Sequence, residues 1–357
     1  MTVRKTIGAA MTDMAARCTS CGECVRPCSF LQQNGTPAVC ANTGATDQNL
    51  LKAFHCSLCG LCDGLCPEGL TPSELFHTMR QEAVARGLLN LKPYHPWLTY
   101  EKLGRHPLFK RYLIPVGCTT VFFPGCSLPG TRPDAVRGLY RLLQKQDMSI
   151  GLVLDCCGKI SHDLGLTERF NGIFEQLASR LQRHTITRIV TACPGCSKIL
   201  RHYREDFEVV SIYEVLAQLP AGAPRPLHSD PVVIHDPCPA RFDHSQQLAV
   251  RHLIQSSGYR IEEMPSHGSV TRCCGQGGMV EGCLPGTVKS EARVIAAESA
   301  GRPVISSCAA CCETLAPTTP TAHIADLVTG TGSFSSRPVS SLKRWLNRLK
   351  LRFTRFS

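Results

Sequence analysis

Cysteine is the residue type that stands out in this chain of 357 residues: there are 22, and eight form two runs near the N-terminus. In each run, three cysteines are separated by two residues and a fourth follows after three more. This spacing is typical of a pair of 4Fe–4S cubane clusters, in which three thiolates of a run bind one cubane and the fourth binds the other. The runs are Cys18, Cys21, Cys24 and Cys28, and Cys56, Cys59, Cys62 and Cys66.

The crossed arrangement assigns each of these eight thiols to a cubane. The first cubane is predicted to bind Cys18, Cys21, Cys24 and Cys66, and the second Cys56, Cys59, Cys62 and Cys28. A serine, Ser29, stands after Cys28 where proline is usual, which loosens the turn but removes no ligand. Zinc is the alternative, but a zinc site uses four ligands and leaves half of these cysteines unexplained.

A second set of ten cysteines occurs as two copies in the C-terminal two-thirds of the chain. Each copy has a single cysteine, then Cys-Cys-Gly, then Cys-x-x-Cys, and equivalent cysteines are 112 to 117 residues apart. This regularity indicates an internal duplication. The copies contain Cys126, Cys156, Cys157, Cys193 and Cys196, and Cys238, Cys273, Cys274, Cys308 and Cys311.

Five thiols in each copy are more than a cubane needs. Adjacent cysteines also point apart in an extended backbone, so they are awkward ligands for one cubane. The pattern therefore predicts an unusual cluster or a redox dithiol, with structural zinc and a spare cysteine as the alternative. Gly158 and Gly275 follow the adjacent pairs and are expected to let the backbone approach a cofactor closely. The run Gly275 to Gly278 lacks the spacing of a nucleotide-binding loop.

The other chemically active residues have simpler interpretations. Free cysteine is a common small core residue, and this role is predicted for Cys40, Cys118, Cys283 and Cys312. Cys312 directly follows Cys311, so an alternative ligand is the second interpretation for it. His162 and His235 lie near these motifs in the sequence, and either could donate a proton to a thiolate or tune a cluster through a hydrogen bond.

The elements that position these residues change along the chain. The 27 residues between the first two runs indicate a helical domain, and a capped helix is predicted from Thr71 to Gly87. From Thr119 onward, short β-branched strands that end at cysteines alternate with amphipathic helices, which indicates an α/β fold. The predicted units, within an α+β or α/β fold class, are a helical two-cluster ferredoxin-like domain at 1–87, a linker at 88–117, repeats at 118–225 and 226–332, and a tail at 333–357.

Composition excludes several classes of protein. There is no apolar signal-peptide core near the N-terminus and no run of about 18 apolar residues, so neither a secreted disulfide scaffold nor a membrane-spanning chain is expected. A reducing cytoplasm is the predicted compartment. The formal net charge is +11, and seven basic residues but no acidic ones follow Ser335.

The basic tail is predicted to form an amphipathic helix on an anionic membrane surface. Its apolar stripe, with cations over the rest of the surface, is Leu342, Trp345, Leu346, Leu349, Phe353 and Phe356. A partner-subunit groove, nucleic acid and a disordered end are the alternatives, of which nucleic acid has least support because the chain has no recognition motif.

The duplicated motif behind a two-cluster ferredoxin unit resembles the CCG-domain iron–sulfur family, which includes the catalytic D subunit of heterodisulfide reductases. It is also similar to the iron–sulfur subunits of anaerobic glycerol-3-phosphate dehydrogenase and glycolate oxidase. The resemblance implies a non-cubane 4Fe–4S cluster in each repeat, bound by all five of its cysteines. In disulfide-reducing members a disulfide is cleaved between those clusters, whereas the dehydrogenase subunits pass electrons from a flavoprotein towards quinone.

The function predicted from these features is that of an oxidoreductase subunit on the inner face of the membrane. Two cubanes and two non-cubane clusters are expected to relay electrons between a flavoprotein or haem-containing partner and quinone. A catalytic disulfide reductase is the alternative, and a zinc scaffold without redox activity is a third possibility.

Overall fold

The computed structural model describes residues 6–147, 149–219 and 230–356. The predicted boundary between the repeats, at 225/226, lies outside the described residues. Two parallel-rich sheets follow a helical N-terminal part, which confirms the predicted fold class.

The N-terminal part contains only helices and turns among its described residues. Its helices are α1 (Ile7–Arg17), α2 (Ser29–Asn34), α3 (Pro37–Asn42), α4 (Asp47–Lys52), α5 (Leu61–Gly64) and α6 (Pro72–Ala85). Helix α6 begins after Thr71 as predicted, but the capping box does not form. The Thr71 hydroxyl instead donates to the Glu74 carboxylate at 3.0 Å.

Residues 88–117, predicted to be a linker, contain regular structure. They form helix α7 (His95–Gly104) and strand β1 (Arg111–Leu113). Proline does not interrupt this segment, because Pro96 lies in the first turn of α7, where no intrahelical N–H bond is lost.

The first repeat is an α/β unit in which parallel strands alternate with helices. Its elements are β2 (Thr120–Phe123), α8 (Leu128–Thr131), α9 (Pro133–Gln144), β3 (Gly151–Leu154), α10 (Lys159–Asp163), α11 (Thr167–Arg183), β4 (Arg188–Thr191), α12 (Pro194–Tyr203), β5 (Glu208–Ser211) and α13 (Ile212–Ala217). The sheet order is β1-β3-β2-β4-β5, with only β1 antiparallel to its neighbour.

The second repeat has the same order of strands without the extra edge strand. Its elements are β6 (Val232–His235), α14 (His244–Ser256), β7 (Ile261–Glu262), α15 (Thr287–Glu298), β8 (Val304–Ser306), α16 (Ala309–Leu315), β9 (Thr321–His323) and α17 (Ile324–Thr329). The all-parallel order β7-β6-β8-β9 matches β3-β2-β4-β5 of the first repeat. The equivalent strands support the duplication seen in the sequence.

The two repeats share a hydrophobic core. Buried residues from both copies, including Phe122, Leu139, Ile234 and Ile254, belong to one cluster. The contacts between the copies are reciprocal, because α13 packs on α14 while α17 packs on α9. Helix α14 is the counterpart of α9, and α17 is the counterpart of α13, so the repeats are related by an approximate two-fold axis.

The C-terminal helix α18 (Ser341–Phe353) packs against α8 and α9. Leu351 is fully buried in the shared core, and Trp345 packs on Phe109 with ring centroids 4.7 Å apart. The preceding segment is also held in place, since the Val339 N–H donates to Glu313 at 2.6 Å. Among the described residues, no helix is long and apolar enough to cross a membrane.

Candidate iron–sulfur centres

The four thiols predicted to bind the first cubane line a single cleft. Cys18 follows α1 directly, Cys21 and Cys24 belong to the loop after it, and Cys66 follows α5. The cleft is open at the surface, where Cys21 is exposed while Cys24 is buried. The structure therefore brings this predicted set together at the outer edge of the N-terminal part.

Burial of these thiols explains why they suit a metal cluster. Burial, reinforced by the nearby Cys18, raises the pKa of Cys24 to about 11. Several thiolates cannot stay charged this close together unless a cation compensates them. Iron would supply that charge, and the donor set of four converging cysteines fits a cubane.

The thiols predicted for the second cubane also lie close together, deeper in the molecule. Cys56 and Cys62 are buried, and Cys59 acts electrostatically on both Cys56 and Cys28. The Leu58 N–H donates to the Cys56 sulfur at 3.4 Å. Burial is the main cause that raises the pKa of Cys56 and Cys62, so this set too favours thiolates only with a bound cation.

A fully buried arginine, Arg80 on α6, joins this second set to both repeats. Its Nε donates to the Ala53 carbonyl at 3.0 Å, and its Nη2 donates to the Cys56 carbonyl at 2.5 Å. Its Nη1 donates to the carbonyls of Asp163 in the first repeat and Gly278 in the second, at 2.7 and 2.8 Å. One guanidinium therefore positions three parts of the chain.

The five cysteines of the first repeat form a continuous group at the carboxyl ends of the strands, where α/β folds collect ligands. Cys156 lies within hydrogen-bonding distance of Cys126 and Cys157. Cys196 lies within the same reach of Cys157 and Cys193. Cys193 and Cys196 flank the N-terminus of α12, and a helix N-terminus favours thiolates.

The environment of this group favours negative charge at particular sulfurs. Hydrogen bonds, first from the Cys196 thiol and then from backbone N–H groups, lower the pKa of Cys193 to about 7 despite its burial. Hydrogen bonds from Cys126 and Cys157 lower the pKa of Cys156 as well. Such a group is suited to binding iron through thiolates.

The adjacent pair in the first repeat is positioned by a buried carboxylate. Asp155 accepts the Cys156 N–H at 2.8 Å and the Tyr112 hydroxyl at 2.6 Å. Lys110 lies 3.3 Å from the same carboxylate. Lys110 and Tyr112 come from the segment predicted to be a linker, so that segment supports the site.

The five cysteines of the second repeat are grouped in the same way. The Cys238 and Cys273 sulfurs are 3.9 Å apart, and those of Cys274 and Cys311 are 3.3 Å apart. Cys308 lies within hydrogen-bonding distance of Cys311. The pattern of close sulfurs thus resembles that of the first repeat.

A histidine distinguishes the second group from the first. The ring of His235, the last residue of β6, lies within 4.8 Å of the sulfurs of Cys274 and Cys311. Both ring nitrogens are buried and lack a conventional hydrogen-bond partner among the described residues. The corresponding residue of the first repeat is Phe123, three residues before Cys126. Of the two histidines singled out in the sequence, His235 is the one beside thiols.

Glycines allow close approach at both pairs and at the contact with the N-terminal part. Gly158 and Gly275 have φ values of +79° and +84°, which side chains disfavour. A Cβ at Gly277 would lie 2.6 Å from the Ser57 carbonyl oxygen, and one at Gly278 would lie 2.8 Å from that of Cys56. The glycine-rich run therefore brings the second cubane loop against the second repeat.

The second cubane set and the second repeat meet directly through sulfur. The side chains of Cys59 and Cys273 interact, and this interaction is the largest cause that raises the pKa of Cys59. Arg241 reinforces the contact, since its Nε donates to the Cys59 carbonyl at 3.1 Å. The two predicted cluster sites are thus in contact through their ligands.

Lysine Lys159, directly after Cys-Cys-Gly in the first repeat, lies between the two groups of five cysteines. Its side chain crosses Gly195 and pairs with Asp163. Burial opposes its charge, but Asp163, and to a smaller extent Cys238 and Cys157, raise the pKa of the ammonium group. A positive charge is therefore placed between the two repeats.

The four remaining cysteines lie outside the five-cysteine groups. Their sulfurs contact backbone carbonyls: Cys40 contacts Asn34, Cys118 contacts Thr120, Cys283 contacts Phe54 and Cys312 contacts Ala322. His162 stacks on His77 with centroids 4.2 Å apart and pairs with Asp163 at 2.9 Å. The structure places His162 in a supporting network.

The residues that the sequence did not single out are the buried arginines Arg80, Arg241 and Arg348 and the half-buried Lys159. Local sequence patterns carry no signal for the three arginines, because their partners are carbonyls far along the chain. Lys159 does have a local signal in the sequence, because it directly follows the Cys-Cys-Gly motif that ends at Gly158.

Comparisons with known proteins agree with this architecture. Residues 14–70 match the family of 4Fe–4S dicluster domains, and residues 120–201 and 232–316 match the cysteine-rich CCG domain. The chain is 24% identical to the D subunit of the dihydromethanophenazine:CoB–CoM heterodisulfide reductase of Methanosarcina mazei, over 83% of this chain and 87% of that protein. The corresponding subunits of Methanosarcina acetivorans and Methanosarcina barkeri are 25% and 23% identical over the same shares.

Proposed function

We propose that this protein relays electrons through four clusters. The chain belongs to the CCG iron–sulfur family of proteins like the D subunit of heterodisulfide reductase, and it is therefore an oxidoreductase subunit. Two cubanes and two non-cubane clusters would carry electrons between a flavoprotein or haem-containing partner and quinone. The observation that carries this proposal is the contact between Cys59 and Cys273, which joins two of the predicted sites.

The positions of the four cysteine groups support a linear order. The first cubane set lies at an exposed cleft, where a partner can approach. The second set lies deeper and contacts the second repeat, while Lys159 lies between the second repeat and the first. Electrons that enter at Cys21 would therefore pass the second cubane and the second repeat before they reach the first repeat.

The protein would contribute fixed charges and exclusion of water along this path. When bound, the clusters supply one-electron redox centres whose potentials depend on charge and on hydrogen bonds to sulfur. Arg80 places a guanidinium beside Cys56, and Arg241 places another beside Cys59. Both cations favour the more negative, reduced form of a cluster at this position.

We propose that helix α18 places the protein on the inner face of an anionic membrane. The predicted apolar stripe is divided between two faces. Trp345 on α18 and Phe356, beyond the end of the helix, pack inward, while Leu342, Leu346 and Phe353 are 72, 56 and 66% exposed. These three residues recur every four or seven positions and so share one helix face. Lys343 and Lys350 are exposed on the same helix and suit anionic headgroups.

An anaerobic reoxidation experiment tests the electron relay. The iron-loaded protein is reduced, and its cluster absorbance is followed after addition of a menaquinone analogue in anionic liposomes or of a low-molecular-weight disulfide. Rapid reoxidation by quinone, with none by disulfide, is expected for the relay. Absence of iron and acid-labile sulfide from the anaerobically purified protein would instead favour the zinc scaffold.

Disulfide reduction is the second candidate function, and the position of Lys159 favours it. The reaction consumes two electrons and two protons: R–S–S–R′ + 2 e⁻ + 2 H⁺ gives R–SH and R′–SH. The electrons would come from the reduced partner through the cubanes. Lys159 lies near Cys157 of one repeat and Cys238 of the other, where its charge would stabilise a thiolate released between them.

The same experiment separates the two candidates. Reoxidation by disulfide that is lost in Cys156→Ser or Cys273→Ser, while the cubanes remain loaded, would identify a disulfide reductase. A Cys40→Ser variant is the matched control, since Cys40 is a buried thiol outside the candidate sites.

A further inference from the structure

The C-terminal helix α18, which packs on α8 of the first repeat, buries an arginine against α7. Arg348 lies on the inner face of α18 and is only 4% exposed, although most residues within three positions of it are partly or fully exposed. Its Nη2 donates to the Gly104 carbonyl at the end of α7, at 3.1 Å. A buried guanidinium is costly unless anionic or polar groups compensate it.

The space for this guanidinium is built from several elements. A Cβ at Gly104 would lie 2.8 Å from Nη2 and 2.9 Å from Nη1, so a side chain at Gly104 would displace the group. The guanidinium carbon lies 5.3 Å from the Tyr100 ring and 5.0 Å from the Trp345 ring. These aromatic contacts fix its orientation and favour its charge.

Tyr100 also connects Arg348 to the first group of five cysteines. The Tyr100 hydroxyl donates to the Cys126 carbonyl at 2.8 Å. The charge of Arg348 acts on the thiols of both Cys126 and Cys156 and favours their thiolate forms. Its Nη1 is buried and has no hydrogen-bond partner in the described part of the chain. A donor of the buried guanidinium is thus left over next to Tyr100, whose hydroxyl is bonded to the Cys126 backbone.

We infer that Arg348 compensates the negative charge of the cluster held by Cys126 and Cys156, so that α18 is part of the environment of the first repeat's redox site. This inference rests on the proposed cluster site in that repeat. Arg348 acts as a positioning and charge-compensating residue. Another arginine of α18, Arg344, reaches the second repeat, but its charge is paired there with the Glu313 carboxylate at 2.9 Å.

A potential measurement tests this role. The first-repeat signal is identified by electron paramagnetic resonance as the one lost in Cys156→Ser, and its midpoint potential is titrated in the full-length, iron-loaded protein. Loss of a nearby positive charge makes the reduced cluster less stable, so Arg348→Gln should lower this potential. We expect a change of at least tenfold in the reduction equilibrium, which equals about 59 mV for a one-electron couple.

Two further variants isolate the charge from the packing. Arg348→Lys keeps the charge and should give a smaller fall. Lys343→Gln removes a cation from the exposed side of the same helix, where solvent screens it, and should leave the potential unchanged. A purely structural role for Arg348 would change thermal stability without changing the midpoint potential.

The outcomes separate this inference from the proposed function. If Cys156→Ser removes no signal, the cluster site in the first repeat is wrong. If the signal is present but Arg348→Gln and Lys343→Gln leave its potential the same, the role of Arg348 is wrong and the site stands. If Arg348→Gln loads no cluster, the midpoint potential is measured instead in Gly104→Ala, whose Cβ displaces the guanidinium. An unchanged midpoint potential in that variant overturns the inference.

Discussion

The strongest stability prediction concerns Arg80, which donates four hydrogen bonds to backbone carbonyls in three parts of the chain. Arg80→Met keeps much of the side-chain volume but leaves these four buried acceptors without their donor. An unsatisfied buried acceptor costs about 1–3 kcal/mol. Because relaxation recovers part of this, we expect a net loss of about 4 kcal/mol, near the upper end for a single substitution.

Thermal unfolding of the iron-loaded protein, followed anaerobically by loss of cluster absorbance, measures this effect. With about 2–4 °C per kcal/mol as the scale for large domains, the apparent Tm should fall by roughly 10 °C. Since more than one unit unfolds, the comparison is made at one scan rate and all values are apparent.

Two substitutions control for charge and for general effects on α6. Arg80→Lys keeps the charge but cannot reach four carbonyls with one ammonium group, so it should recover only part of the loss. Arg86→Met removes an arginine that pairs with Glu82 and Asp47 at the solvent-facing end of the same helix. Because solvent screens such surface pairs, this control should leave the apparent Tm nearly unchanged. An Arg80→Met protein that unfolds within about 2 °C of the Arg86→Met control would refute the reasoning.

Three more predictions concern the sites and the tail. Gly277→Val should slow electron transfer from the second cubane to the second repeat in flash-reduction experiments. The Cβ of the new side chain would lie 2.6 Å from the Ser57 carbonyl oxygen, so the two loops must move apart by about 0.8 Å to reach ordinary contact. The control Gly172→Val places its Cβ in open space and should not slow this electron transfer. Anaerobic reconstitution at neutral pH should release about one proton in a pH-stat from each ligand thiol such as Cys24, whose pKa burial raises to about 11. Ligand thiols such as Cys193, whose pKa is lowered to about 7, should release less than one proton each. Iron affinity should therefore rise with pH. Leu342→Gln with Leu346→Gln should weaken sedimentation with anionic liposomes by about tenfold or more; unchanged sedimentation would rule out α18 as the membrane contact.

The sequence predicted the repeated architecture because its signals are local. Strands β2, β3 and β4 are short and lie directly before cysteine motifs, and amphipathic helices such as α11 separate them, as the alternation from Thr119 onward predicted. Close spacing within each motif also limits where its thiols can lie, and the structure brings each predicted set together. The ligand assignments themselves stay predictions.

Other features could not be predicted, because they depend on contacts between distant residues. Strand β1 is recognisable only through its pairing with β3, and a short segment among prolines gives no periodic signal. The tail showed a single apolar stripe in sequence, yet Trp345 packs inward while Leu342 is exposed. Periodicity identifies a helix face but not which neighbour covers it.

The reciprocal packing of α13 on α14 and of α17 on α9 is the contact pattern of a symmetric homodimer, in which one surface meets a copy of itself. In such a dimer the two redox sites would be identical and would have equal reduction potentials. No free-energy difference would then drive an electron from one site to the other. Fusion of both copies into one chain removes that constraint. His235 stands where the first copy has Phe123, and the charge of Arg348 acts on the first copy at Cys126 and Cys156. Covalent joining thus lets a pair of equal sites evolve into a donor and an acceptor, which gives the path a direction.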